Sequence, residues 1–453
     1  MALTPGSKVF HRQLNQSPPM ATSGAGVYLI DDKGKRYIDA SGGAAVSCLG
    51  HGHPKVIAAI VEQAQTLAFA HTAFFTSQPA EQLAQHLIAR APQGIDQVYF
   101  LSGGSEAIES ALKTARQYFV EKGESGRTKF IARKQSYHGN TLGALSVSSN
   151  VLRRQKFLPL LTDTIHIDPC YAYRNQLQSE SKQDYALRAA NALETAIVQA
   201  GPENIIGFVA ETVGGATGGV LMPEVGYWAR IRQICDQYGI LLILDEVMCG
   251  MGRTGSLFAC QQEQLRPDLI AIGKGLGGGY QPIGAMLCSS SIYQTLKQTS
   301  GALMGGHTYM GHPIACAAAL AVQQAIVDEE LLDNVMKMGT AFEAGLHETL
   351  ADHPHVGDIR GRGLFWGIEL VKDKASKQPF PAQLRLHSRI KCLAMEQGLI
   401  CYPGGGTVDG LSGDHIMLAP PFIINAQQLE EIRHKLLITI NLATSETQQT
   451  DAH

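Results

Sequence analysis

The sequence predicts an α/β fold with a mostly parallel central sheet, and three observations lead there. Five short apolar runs, at 98–101 (VYFL), 129–132 (KFIA), 205–210 (IIGFVA), 240–244 (ILLIL) and 269–272 (LIAI), alternate with segments of helical periodicity. Four of the runs are followed directly by a glycine, acidic or basic residue and the first by Ser102-Gly103-Gly104, as strands that deliver functional groups at one sheet edge would be. Charged residues are 17% and hydrophobic residues 45%, against roughly 25% charged in an average soluble domain, so much surface is buried inside the chain or between subunits.

In chain order, residues 26–40 (GVYLIDDKGKRYIDA) read as an alternating strand pair around Lys33-Gly34. The 98–101 run leads into a helix over 106–120, where Ile108, Leu112, Ala115 and Phe119 recur at helical spacing. The other four runs follow as buried strands. Beyond residue 330 the pattern returns to helix, strand, helix. Residues 357–370 (GDIRGRGLFWGIEL) form a strand region, and 426–438 a terminal helix with Asn425 as its N-cap. The last residues, TSETQQTDAH, read as a frayed tail. The expected organisation is a large central domain over 56–329 and a smaller α+β domain assembled from 1–55 and 330–453.

With 37 Lys plus Arg against 40 Asp plus Glu, the chain has no basic excess for nucleic acid. Its longest apolar run, IACAAALAV at 314–322, is far shorter than a membrane span of about 18 residues. Nine scattered cysteines without a C-x-x-C pair fit reduced thiols and a cytoplasmic location. The histidines lack metalloenzyme spacing, so no metal site is expected.

The chemistry is read from the strand ends. After 98–101 comes Ser102-Gly103-Gly104-Ser105-Glu106, a glycine turn at a helix N-terminus, where free N–H groups suit a phosphate. After 129–132 comes Gln135-Ser136-Tyr137-His138-Gly139, an aromatic pair at a strand end. Glu211 follows 205–210 and Asp245-Glu246-Val247 follows 240–244. Gly273-Lys274-Gly275 follows 269–272: a lysine there loses charge by desolvation, and a neutral amine is what Schiff-base chemistry requires. An acid for a pyridine nitrogen, a lysine for an aldehyde and a phosphate cup are the three attachments of pyridoxal 5'-phosphate. A competing pattern, Gly250-Met251-Gly252-Arg253-Thr254-Gly255, matches a dinucleotide fingerprint, but Asp-Glu-Val-Met-Cys separates it from its strand and the next strand ends in Gly273-Lys274.

Taken together, SGGSEAIESALKTAR, YHGNT, AET, LDEVMCGMGRTG, IGKGLGGGYQPIGA and GGHTYMGHP, in this order and spacing, resemble the class III (ω-amino acid type) aminotransferases, and the resemblance covers nearly the whole chain. It implies fold type I, pyridoxal 5'-phosphate and a homodimer with active sites shared between subunits. It further implies a ping-pong transfer from an amine or ω-amino acid donor to a 2-oxo acid such as pyruvate or 2-oxoglutarate. By this resemblance Lys274 is the Schiff-base lysine and proton shuttle, Asp245 the partner of the pyridine nitrogen, and Val247 the residue under the ring. Gly104 and Ser105 form the phosphate cup, with Thr308 of the partner subunit. Tyr137 stacks on the ring with His138 beside it, and Glu211 lies near the ring's phenolic oxygen and the substrate.

Two departures from the family pattern stand out. Where many relatives read Glu-Pro-Val-Gln, this chain has Glu211-Thr212-Val213-Gly214, without the glutamine. Where many ω-transaminases carry a mobile arginine three residues before Gly-Asp-His, it has Gly410. Arg133, Arg360 and Arg362 are the conceivable substitutes for a carboxylate clamp. The alternative reading on the same scaffold is a decarboxylase, aminomutase or epimerase; a cofactor-holding module without turnover is opposed by the joint retention of Lys274, Asp245 and Glu211.

Overall fold

The computed structural model describes residues 7–15 and 17–445. Its centre is a seven-stranded sheet. Across it run Ile95–Leu101, Gly284–Ser289, Leu269–Ile272, Leu241–Asp245, Ile205–Glu211, Lys129–Arg133 and Thr164–Ile167. Leu269–Ile272 to Thr164–Ile167 are parallel, while Gly284–Ser289 is antiparallel to both its neighbours. The five predicted strands are present, and Thr164–Ile167 and Gly284–Ser289 join them.

The continuous apolar runs have a physical reason. Both faces of the sheet are covered by helices, so every position of Ile205–Glu211 and Leu241–Asp245 is buried. Side chains of period two feed two separate interiors. Ile243 packs with Ile108, Ala115 and Phe119 of the helix Gly104–Glu121, whereas Leu242 and Leu244 pack with Leu193, Trp228 and Ile231 from the opposite face.

Two four-stranded sheets lie outside this one. In the first, Ala21–Ala25, Tyr28–Asp31 and Arg36–Asp39 pair in sequence, and Leu399–Ile400 adds in parallel to the last. At the turn between the second and third strands the Asp31 Oδ1 atom accepts the Lys33 and Lys35 N–H groups at 2.9 and 2.8 Å, and Gly34 takes φ +78°. The second contains Val356–Arg362, Phe365–Leu370, Asp414–Leu418 and Tyr402–Gly405, all antiparallel. Val27 and Ile38 share one hydrophobic cluster with Leu399, Leu418 and Ile432, so segments from the two ends of the chain bury each other. The helix Pro313–Asp328 contributes Val322 and Ala325 to that same cluster.

The terminal helix spans Ala426–Ser445, longer than the 426–438 expected, because Ile440 and Ala443 carry its buried stripe onward. Asn425 caps it: its Oδ1 atom accepts the Gln428 N–H at 2.9 Å while Gln428 Oε1 accepts the Asn425 N–H at 3.1 Å. Of the tail expected to fray, Thr444 and Ser445 end this helix, and the rest lies outside the described residues. Among the described residues no helix is long and apolar enough to cross a membrane.

Candidate active site

Strand register assembles the site. Glu211 and Asp245 are direct partners on adjacent parallel strands, and Asp245 pairs with Ala271, three residues before Lys274. Three functional groups thus emerge from neighbouring strand ends at one edge of the sheet, the usual location for a ligand in this architecture.

Lys274 follows extended Gly273 and has φ +44°, a left-handed conformation that costs a side-chain-bearing residue roughly 1–2 kcal/mol. The turn is held from behind. The buried Gln323 amide donates to the carbonyls of Gly275 and Leu276 at 3.0 Å each, and the Gly278 N–H donates to the Lys274 carbonyl at 2.9 Å. Burial pushes the Lys274 amine down from 10.5 to about 8; Asp245 and Glu211 oppose that shift and Arg153 adds to it. The side chain remains partly accessible, so the amine is available to a ligand.

Asp245 is buried and fixed from two sides. Its Oδ2 atom lies 2.8 Å from His138 Nδ1, and its Oδ1 atom accepts the Val247 N–H at 3.0 Å. The His138 backbone N–H donates to Ser148 Oγ at 2.7 Å, and its Nε2 atom has no hydrogen-bond partner among the described residues. Glu211 accepts the Gly215 N–H at 3.0 Å. Burial raises its carboxyl pKa and Asp245 raises it further, against His138 and Arg133. The adjacent Glu246 has a structural task, accepting Thr212 Oγ1 at 2.8 Å and the N–H groups of Ala259 and Cys260 at 2.7 Å.

The glycine turn is the candidate anion cradle. Gly103 caps the helix Gly104–Glu121 with no side-chain cap bond, and a Cβ at Gly103 would meet nothing within 4 Å, so open space faces the helix N-terminus. Gly104 is required by close packing, since a Cβ there would lie 2.7 Å from Val247 Cγ1. The Ser105 Oγ atom accepts the Asn140 N–H at 3.0 Å, tying the cradle to the segment that carries Tyr137 and His138. An amine at about 8, a carboxylate oriented by histidine, and an uncapped helix start are the donor set that pyridoxal phosphate needs, so these residues fit that group.

The structure thus brings together Lys274, Asp245, Glu211, His138, Val247, Gly104 and Ser105. Tyr137 is half-buried at the rim, and the Arg153 guanidinium sits 4.4 Å from its ring centre. Thr308 is exposed on a surface segment beside Tyr309. Arg153 was not a sequence candidate: it belongs to a four-residue helix, Val151–Arg154, and only the tertiary fold returns it to Tyr137. The three arginines considered as clamps are engaged elsewhere. Arg133 donates to the Glu211 carbonyl, Arg360 is held by Asp358 and Glu369, and Arg362 by Glu263. The glycines of 250–255 are packing glycines, since a Cβ at Gly252 would strike Phe422 at 2.8 Å and one at Gly250 the Glu246 carbonyl oxygen at 2.7 Å. Among the described residues no three His, Cys, Asp or Glu side chains are grouped to hold a metal.

The chain is similar to known proteins over nearly its full length. The model of the family described as aminotransferase class-III matches residues 9–440. An aminotransferase of Schizosaccharomyces pombe is 45% identical over 433 residues, covering 95% of this chain and 94% of its own. Among solved structures, a thermostable (S)-enantioselective ω-transaminase from Thermomicrobium roseum superposes with a TM-score of 0.89 at 35% identity, over 95% of this chain and 94% of that one. The ω-transaminase of Pseudomonas jessenii in complex with PMP gives 0.88 at 35% identity, over 94% and 93%.

Proposed function

The chain belongs to the class III aminotransferases, and from that premise we propose how its own residues carry the transfer of an amino group from an amine or ω-amino acid to a 2-oxo acid such as pyruvate or 2-oxoglutarate. The cofactor of this reading is pyridoxal 5'-phosphate. When bound, it supplies an aldehyde that takes up the amino group and a ring that accepts the electrons left behind on the donor carbon.

Lys274 carries the proposal: a buried amine brought to about 8, next to two carboxyl groups at one sheet edge. Near neutral pH a useful fraction of that amine is uncharged. With the cofactor bound, that neutral amine would hold its aldehyde carbon and, once the donor amine has displaced it, would be free to move a proton between the donor carbon and the cofactor carbon that receives the nitrogen. Asp245, oriented by His138 and the Val247 N–H, would hold a proton at the ring nitrogen. Val247 and Tyr137 would hold its ring between them, and the N-terminus of Gly104–Glu121 with Ser105 would bind the phosphate. Glu211, whose carboxyl pKa is raised by burial, would position the ring's phenolic oxygen and the incoming substrate. Donor and acceptor would use the same site in turn, the deaminated product leaving its amino group behind and departing before the acceptor enters, hence ping-pong kinetics.

The assembly in this reading is a homodimer with Thr308 of the partner subunit completing the phosphate site. Phe74 and Phe75, 80% and 68% exposed, and Tyr309, 62% exposed, support it, because solvent-facing aromatic groups of this size favour coverage by another surface. Eight buried free cysteines support a cytoplasmic location.

The test is chemical trapping. Borohydride reduction of the loaded enzyme followed by peptide mapping should find the cofactor on Lys274, and Lys274→Ala should abolish both turnover and the trapped adduct. An adduct on any other lysine overturns the assignment.

A further inference from the structure

An oxo-acid acceptor brings a carboxylate to a site already lined by Asp245 and Glu211, so a cation must receive it. The nearby arginines named above are committed to other partners. Arg133 stacks 5.6 Å from the Trp228 ring besides bonding the Glu211 carbonyl, and Arg253 donates to the Leu364 and Pro420 carbonyls at 3.0 and 2.5 Å. Arg153 differs. Its guanidinium lies over the face of Tyr137, at 4.4 Å, and forms no ion pair among the described residues.

The backbone beneath Arg153 is built to hold it there. Asn150 Oδ1 accepts the Arg153 N–H at 3.1 Å, and the Arg154 guanidinium donates to the Ser146 carbonyl at 3.3 Å. The same short helix explains the glycine at 410. Gly410 has φ +89°, and a Cβ on it would lie 2.6 Å from Val151 Cγ2, so a longer side chain there is excluded by the segment that carries Arg153. That loop is also tied to the Tyr137 segment, because Gln135 Nε2 donates to the Thr407 carbonyl at 2.6 Å.

We propose that Arg153 is the specificity-determining cation that receives the carboxylate of the oxo-acid acceptor and of carboxylate-bearing donors. It rests on the aminotransferase reading above. A guanidinium presents paired donors to a carboxylate, and the ring of Tyr137 keeps its plane in one orientation. The charge of Arg153 is felt inside the site, where it adds to the burial that lowers the Lys274 amine. Donors with a carboxylate within reach of the Tyr137 rim would therefore be preferred over plain amines.

The experiment uses the loaded enzyme and two variants, Arg153→Gln and Arg153→Lys. Binding of the unreactive carboxylates propionate and glutarate is measured by calorimetry, and each half-reaction is followed alone, with pyruvate and with 1-phenylethylamine. Arg153→Gln should weaken carboxylate binding by roughly ten- to a hundredfold. It should also depress kcat/KM for pyruvate at least tenfold more than for the amine, and Arg153→Lys should recover part of both losses. Unchanged propionate and glutarate affinities, or equal losses with both half-reaction partners, overturn the proposal. If wild-type enzyme converts no member of a panel of amines and ω-amino acids with either pyruvate or 2-oxoglutarate, it is the aminotransferase reading that fails, and the carboxylate affinities still decide the role of Arg153.

Discussion

A lysine whose amine is lowered from 10.5 to about 8 should betray itself before any cofactor chemistry is measured. The shift corresponds to about 3 kcal/mol against the charged form, at roughly 1.4 kcal/mol per unit. At pH 8 about half of Lys274 is neutral, whereas an ordinary lysine is neutral to about 0.3%, so Lys274 should present neutral amine in about 150-fold excess. The assay is competitive acetylation of the cofactor-stripped protein across pH 6 to 11, with peptide mass spectrometry reading each lysine separately. Lys274 should titrate with a midpoint near 8. Because Asp245 and Glu211 oppose the shift and Arg153 reinforces it, Glu211→Gln should move the midpoint down and Arg153→Gln should move it up. The sign extends to stability. Between pH 8 and 10.5 the unfolded chain still holds the proton that folded Lys274 has released, so this group adds stability as pH rises through that window, and Lys274→Met removes the gain. A Lys274 midpoint near 10.5 refutes the reasoning, since it means the amine is not desolvated.

Three further outcomes follow from the site geometry. Gly104→Ala places a Cβ 2.7 Å from Val247 Cγ1, an overpacking worth about 1–3 kcal/mol; cofactor titration should show about tenfold or greater loss of affinity, with recovery in the Gly104→Ala, Val247→Ala double variant. Asp245→Asn should lower turnover by about a hundredfold or more while cofactor occupancy changes only a few-fold; near-normal turnover contradicts its role at the ring nitrogen. Mixing Lys274→Ala with Thr308→Ala subunits should restore activity in heterodimers, where one site collects both lesions and the other none, and no recovery of activity counts against a Thr308 shared across subunits.

Much of the fold is legible because the sheet is covered on both faces: full burial turns its strands into unbroken apolar runs such as ILLIL, and the groups that follow them land at one edge. Thr164–Ile167 escapes that signal because it lies at the edge of the sheet and is only partly buried. Gly284–Ser289 escapes it because it opens on glycine and ends on serine. The pairing of His138 with Asp245 is hidden as well, since the two are 107 residues apart and only the fold closes the 2.8 Å contact. The departures at 214 and 410 are legible as substitutions but not as causes. A Cβ at Gly214 would meet Leu221 Cβ at 2.9 Å and one at Gly410 would meet Val151, so each missing side chain reflects a neighbour that has taken its space.

The same burial acts on Lys274 and Glu211 in opposite directions of pKa but toward one end: the amine is lowered and the carboxyl raised, so each moves toward its neutral form. A proton can then pass between an amine and a substrate carbon at small cost near neutral pH, which two fully charged groups would not permit. Neutralising the interior has a consequence for recognition. A substrate carboxylate finds little permanent positive charge among the strand ends, so its partner has to stand at the rim, on an exposed guanidinium. Tyr137 lies at that boundary, half-buried, with Arg153 on its ring. Discrimination among acids and amines is thereby placed one aromatic ring away from proton transfer, and substitutions at 153 should act first on which substrates enter and reach Lys274 only through the rise in its amine that loss of the Arg153 charge brings.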